Sequence, residues 1–477
     1  MNQILNIPIE IRTAALAVVG VVAGSFVNLA IHTFGWRPRP CNPWSRRHPF
    51  DHRSRWLDRL PLIGWWRLRR KSGEFGGGFW VRPLLVELLA GALFAGLYWW
   101  EIGHQGAIGT IQQEVIGTIQ QGVIGAIPPA ALRPSEATFA IMHAVCASHL
   151  LLALFMLAAS FIDLDDQVIP DAVTVPGTLL GLVLAAGYSW NLLPGRVDVA
   201  TEGPHTTQFV EFVTFLYPSH NSLPAWPPVW GTIAGLALGL LCYWAWCLAL
   251  LPRLWRPSVG VRRALRYLFA HALRSEAWPT IATIGLAGTC GIGLVWWLGL
   301  VAGGRDHWIG LLTSLVGVAV GGGLVWAVRI VAGFALGREA MGFGDVTLMA
   351  MIGAFLGWQV CPIIFFLSPF IGLPLLLVWW FLWRQREISF GPFLCLATLV
   401  SIVFWRPIWE YVEPWYYSGW PPGVVSPVIP PGWLVPAALV CCLALLAVLL
   451  GGIQIVHDLV DWRRSRKGER KEEKGES

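Results

Sequence analysis

Two stretches of this chain put carboxylates where they could do chemistry. The first, residues 337–358, is GREAMGFGDVTLMAMIGAFLGW; Asp345 follows Gly342-Phe343-Gly344 and opens an apolar run with no formal charge before Arg384. An ionisable group at the mouth of an apolar helix is costly enough that a working role is its default expectation. Gly342 and Gly344 allow a tight turn and the close approach of another chain segment. The second stretch, FIDLDDQVIPDAVTVPG over residues 161–177, sets Asp163, Asp165, Asp166 and Asp171 around Pro170. Pro170 lacks a backbone donor and pushes Ile169 toward extended geometry, so a helix should end or kink there.

Two carboxylates brought within about 3 Å cannot both ionise and must share a proton. One can then act as a base on water while the other polarises a carbonyl. That is peptide-bond hydrolysis without a metal or a covalent intermediate. Asp163, just before the helix break, is the expected partner of Asp345. Asp165 and Asp166 are expected to be solvated neighbours or substrate contacts, and Asp171 a cap for the next helix. Glu339 could meet a basic substrate or pair locally with Arg338.

The elements that must bring these acids together are membrane helices. The 477 residues are 55% hydrophobic and 13% charged, with 29 Trp and a mean hydropathy of +0.59, values of a polytopic membrane protein. The net charge of +6 and pI near 8.9 come from short basic blocks between apolar spans. They report topology and carry no expectation of nucleic acid. Residues 37–82 hold 12 Lys or Arg and should remain cytoplasmic, with the N-terminus outside. Spans are expected over residues 13–34, 83–100, 139–161, 172–190, 228–251, 279–301 and 308–334. Pro369 and Pro374 are expected to split residues 346–383 into two passes. A short segment at 390–405 and a last span at 434–456 bring the total to 10–11 helices, with the C-terminus inside.

The expected fold is therefore all-α and polytopic. Its divisions are N-terminal spans with a basic loop (1–100), an external loop (101–137), the acid-bearing membrane domain (138–405), an outer loop with an extra span (406–456) and a charged tail (457–477). Four crossings separate Asp163 from Asp345. Four is even, so both acids should face the cytoplasm. Residues 108–127 carry a period-eight tandem repeat, IGTIQQEV then IGTIQQGV, to which no chemistry is assigned. Glu87 in the second span could pair with an arginine of the basic loop. His143 and His149, six residues apart, do not share a helix face. Eight of the nine cysteines lie in or against apolar runs as small buried hydrophobes. Cys41 alone cannot make a tetrahedral zinc site.

FIDLDDQVIPDAVTVP and GREAMGFGDVTLMAMIGAFLGW together resemble the two signature segments of the type IV prepilin peptidases, bacterial inner-membrane aspartyl proteases of the GxGD kind. GSFVN at residues 24–28, RPLLVELL at 82–89 and SFGPFL at 389–394 are similar to further family stretches. The resemblance implies catalysis by Asp163 and Asp345. It also implies cleavage of the basic leader of prepilins or pseudopilins in pilus assembly or type II secretion, and a multi-pass place among inner-membrane lipid. Proteolysis in that family needs no cofactor. Many members also methylate the new N-terminus with S-adenosylmethionine. The family's loop often carries two CxxC pairs that bind zinc; here Cys41 stands with His48 and His52, and zinc is not expected. The family usually has two spans between its acids, and four lie there in this chain. The alternatives are a proton-coupled transporter, whose acids would lie near mid-membrane, and an inactive pilin-binding assembly factor.

Overall fold

The computed structural model describes residues 7–36, 42–43, 56–104, 136–187, 193, 197–201, 208–212, 233–251, 277–301, 305–336, 341–383, 389–405, 407–409 and 411–412. The period-eight repeat, Cys41, His48, His52, Arg338, Glu339, the expected span at 434–456 and the charged tail lie outside these residues.

The chain is helical in long apolar runs, because a backbone in lipid must satisfy its own N–H and C=O groups. Helix α1 (Ile9–Phe34) follows Pro8 and stops at Gly35. A short helix, α2 (Ile63–Leu68), lies in the basic loop ahead of α3 (Val81–Tyr98), which ends in a wider π turn at Trp99–Gly103. Then come α4 (Glu136–Asp166), α5 (Asp171–Gly187), α6 (Ile233–Ala249), α7 (Trp278–Val301) and α8 (Arg305–Leu336). Helices α9 (Phe343–Leu356), α10 (Val360–Trp383) and α11 (Gly391–Val403) complete the described bundle. Among the described residues five helices are long and apolar enough to cross a membrane, and five shorter apolar helices accompany them.

Two findings depart from expectation. The loop after α5 contains an antiparallel pair of strands, β1 (Val197–Thr201) and β2 (Gln208–Phe212), with Val197 opposite Phe212. VDVAT and QFVEF alternate with the two-residue period of a strand, but between two strong helical spans they pass for loop. The run 346–383 does form two helices, but it breaks at Gly357 and not at the prolines. Gly357 has φ +87°, a left-handed conformation that ends α9 and suits glycine alone. Pro369 and Pro374 lie inside α10, where the Ser368 hydroxyl donates at 2.9 Å to the Phe365 carbonyl that Pro369 leaves without a backbone donor.

Helix α9 organises the packing. Every residue from Asp345 to Leu356 is buried, the pattern of a helix surrounded on all sides. Helix α8 lies along it, with α5, α4, α10 and α11 around the rest. Helices α8 and α9 touch backbone to backbone: a methyl group on Gly317 would strike the Gly353 carbonyl, and one on Gly353 the Gly317 carbonyl. A second apolar cluster holds α6 and α7 against α8, through Tyr243, Trp246, Leu312 and Leu315. Gly285 and Gly288 of α7 receive the rings of Trp244 and Tyr243.

Candidate active site

Helix α4 runs unbroken to Asp166. Gln167, at φ +54°, turns the chain out of the helix, Ile169 is buried, and α5 starts after Pro170. Asp163 sits in the last turn of α4 and is 3% exposed. At the other segment, Gly342 is extended and α9 begins at Phe343, so Asp345 is the third helical residue, 7% exposed. Its carboxylate faces the Gly342 backbone N–H. An acid at this position reaching back to the residue before the helix is the acidic half of a capping box.

Ile169 joins the two segments. A Cβ on Gly344 would come within 2.7 Å of the Ile169 Cβ, and one on Gly391 within 2.8 Å of the Ile169 Cδ1 and 2.5 Å of the Asp163 Oδ2. Two glycines from different helices thus let the Ile169 wedge and the Asp163 carboxylate close onto the start of α9 and α11. The Ser389 hydroxyl and the Gly391 N–H face the Asp163 carboxylate, whose Oδ2 makes no hydrogen bond of good geometry with a described residue.

Asp163 and Asp345, 182 positions apart, lie close enough for their charges to interact. Cys395, one turn along α11 from Gly391, is buried beneath them within electrostatic reach of both, and its Sγ–H points to the Met156 carbonyl at 3.7 Å. The Arg329 guanidinium of α8 lies 5.7 Å from the centre of the Phe343 ring and also acts on Asp345. Two facing carboxylates in a dry setting beside one cation favour a shared proton over two full charges.

The sequence-expected residues therefore fall into groups. Asp163 and Asp345 come together, with Pro170, Gly342 and Gly344 in the turns around them. Asp165 and Asp166 face other partners: Asp165 is paired with Arg82, and Asp166 Oδ2 accepts the Trp36 backbone N–H at 2.7 Å. Among the described residues Glu87 pairs with no arginine. Its Oε1 accepts from Ser25 Oγ (2.7 Å), Asn28 Nδ2 (3.3 Å) and Trp65 Nε1 (2.9 Å), and its Oε2 from the Leu62 N–H (2.6 Å). Four neutral donors surround it in a buried place that no guanidinium of the described residues reaches. His149 is buried with Nδ1 2.7 Å from Glu101 Oε1, and His143 Nε2 lies 3.2 Å from the Tyr98 hydroxyl. Sequence reasoning did not assign Ile169, Ser389, Arg329 or Cys395 to the site. The stretch SFGPFL was the one available signal for Ser389.

Residues 288–377 match the Type IV leader peptidase family, and residues 18–101 match the Bacterial Peptidase A24 N-terminal domain. Over these two ranges the chain is similar to the type IV leader peptidases. The prepilin leader peptidase/N-methyltransferase of Dickeya chrysanthemi is 30% identical over 159 residues, 31% of this chain and 53% of the relative. The protein of the same description from Pseudomonas putida is 35% identical over 114 residues, 23% and 38% of the two chains. That of Escherichia coli K12 is 32% identical over 108 residues, 22% and 48%. Each alignment thus spans about half of the leader peptidase relative or less. No solved structure matches. Asp345 lies inside a family-matched range and Asp163 in neither, so the assignment of Asp163 rests on its place in the fold and on its motif. Among the described residues no three His, Cys, Asp or Glu side chains gather to hold a metal ion.

Proposed function

We propose that this chain is a membrane aspartic endopeptidase that removes the basic leader of type IV prepilins or pseudopilins at the cytoplasmic face of the bacterial inner membrane. One observation carries the reading: two aspartates from distant segments are buried at one end of the bundle with interacting charges. The two family-model matches and the names of the relatives support the substrate class.

In this reading one carboxylate of the singly protonated pair takes a proton from water as its oxygen attacks the scissile carbonyl. The other gives its proton to the developing oxyanion. Collapse of the tetrahedral intermediate breaks the C–N bond, and the proton held by the base goes to the leaving amine. Gly342, Gly344 and Pro170 shape the turns that present the pair. Glu339, together with Asp166, would meet positive charge on the leader. The family match favours neither a transporter nor an inactive assembly factor.

Methyl transfer from S-adenosylmethionine has no step here. The cleft of about 390 Å³ between α1 and the basic loop is walled by Val22, Ser25, Phe26, Leu29, Leu60 and Pro61 with Arg59. Its described lining residues include no carboxylate for that cofactor's sulfonium and ribose, and these residues do not fit it.

Incubation of the full chain with a prepilin, read as a size shift, tests the proposal. Asp163→Asn and Asp345→Asn should each reduce cleavage by about a thousandfold or more while expression persists. Cleavage that survives either change would rule out the pair.

A further inference from the structure

The last turn of α4 carries more than Asp163. Arg82, one residue into α3, donates from Nη2 to the Phe161 carbonyl at 2.7 Å and from Nη1 to Asp165 Oδ1, and its guanidinium carbon lies 5.3 Å from the centre of the Phe161 ring. Residues 161 and 165 are four apart and share one face of a helix. At 100° per residue, Asp163 lies about 200° round from both, on the opposite face. Arg82 therefore grips the turn from behind while the other side presents Asp163 to α9 and α11. The backbone N–H of Trp36, just past α1, makes a second tie to the same turn through Asp166.

A terminal helical turn is where a helix frays, because its last carbonyls have no intrahelical donor. Here the turn must stay wound up to Gln167, the residue that leaves the helix at positive φ. A planar fork that engages a carbonyl, a carboxylate and a ring face at once fixes the rotation of the turn in a way that a single point charge does not.

We infer that Arg82 is a positioning residue for Asp163, and that the N-terminal pair of spans acts on catalysis through it by setting the rotation of the last turn of α4. The inference rests on the proposed catalytic role of Asp163. It assigns the α1–α3 unit a part in proteolysis separate from any chemistry of its own basic loop.

The test measures kcat and KM of the purified full chain with a prepilin carrying its basic leader. Arg82→Ala should lower kcat about 10- to 100-fold, the scale of a misplacement of about 1 Å, with KM within about threefold. Asp165→Ala should do the same, and the double variant should lose little more than either single one, as coupled partners do. Arg82→Lys keeps the charge without the fork and should fall between. Arg82→Lys carries the test if Arg82→Ala is not recovered folded. Unchanged kcat in Arg82→Ala or Arg82→Lys, additive losses, or an effect on KM alone would overturn the inference. Asp163→Asn in parallel separates the two readings: if it still cleaves, the catalytic pair fails, whereas if it is dead and Arg82→Ala is normal, only the positioning role fails.

Discussion

Two buried carboxylates with one shared proton behave differently from one acid alone. Activity that needs the singly protonated pair is lost both when the second proton arrives and when the first leaves. The rate of prepilin cleavage should therefore be bell-shaped in pH, with both limbs missing from whatever residual rate Asp163→Asn retains. A profile that rises through one ionisation and then stays flat would point to a lone base. Glu87 is a contrasting buried carboxylate, held by four donors. Glu87→Ala should cost ~2–4 kcal/mol, because it strands the Ser25, Asn28 and Trp65 donors in a buried place. The measurement is the unfolding midpoint of the detergent-solubilised protein, expected to fall by several degrees. Glu87→Gln, which keeps one acceptor, should fall less.

The helices meet at the site through glycine. Gly344 in α9 and Gly391 in α11 each leave room for Ile169, and Gly391 also leaves room for the Asp163 carboxylate. A β-branched side chain at either position has nowhere to go without displacing Ile169, and with it the turn between α4 and α5. Gly344→Val and Gly391→Val should each lower cleavage at least about 100-fold, the order expected when reacting groups are displaced by about 1 Å. Normal insertion of the protein would show that the loss is local. Ile169→Ala leaves a cavity in place of a clash and should cost stability by ~2–4 kcal/mol, with a smaller loss of rate. If Gly391→Val cleaves normally, the close fit at this junction is not what holds the pair.

Across the whole molecule, the site lies where the ends of α4, α9 and α11 converge, while α6 and α7 sit on the far side of α8 in their own apolar cluster. Among the described residues four helices, α5 to α8, lie between the two acids, and an even number returns α9 to the end at which α4 finished. The expected sidedness puts that end in the cytoplasm. A cysteine introduced at Gln167, in the turn beside the site, should then react with a membrane-impermeant maleimide only in inverted vesicles. One at His104, past the far end of α3, should react only from outside, both measured above the native thiols. The reverse pattern would place the site on the wrong face for a cytoplasmic leader.

The sequence by itself determined the helical class, the apolar runs that carry the described helices, the break at Pro170 and the two acids worth watching. Apolar length, proline and glycine act locally, and a charge at the mouth of an apolar run is visible without any fold. Packing decided the rest. Gly357 rather than Pro369 or Pro374 turned the run after Asp345, because the Ser368 hydroxyl takes up the carbonyl that Pro369 frees within the helix, whereas positive φ at a glycine ends one. Glu87 took neutral donors because Trp65 and the Leu62 amide fold back onto it, a contact between residues more than 20 positions apart. The meeting of Asp163 with Asp345 under Ile169, and the grip of Arg82 behind it, depend on how α3, α4, α9 and α11 cross. A crossing is set by the shapes of two surfaces at once, and neither strand of sequence contains the other's shape.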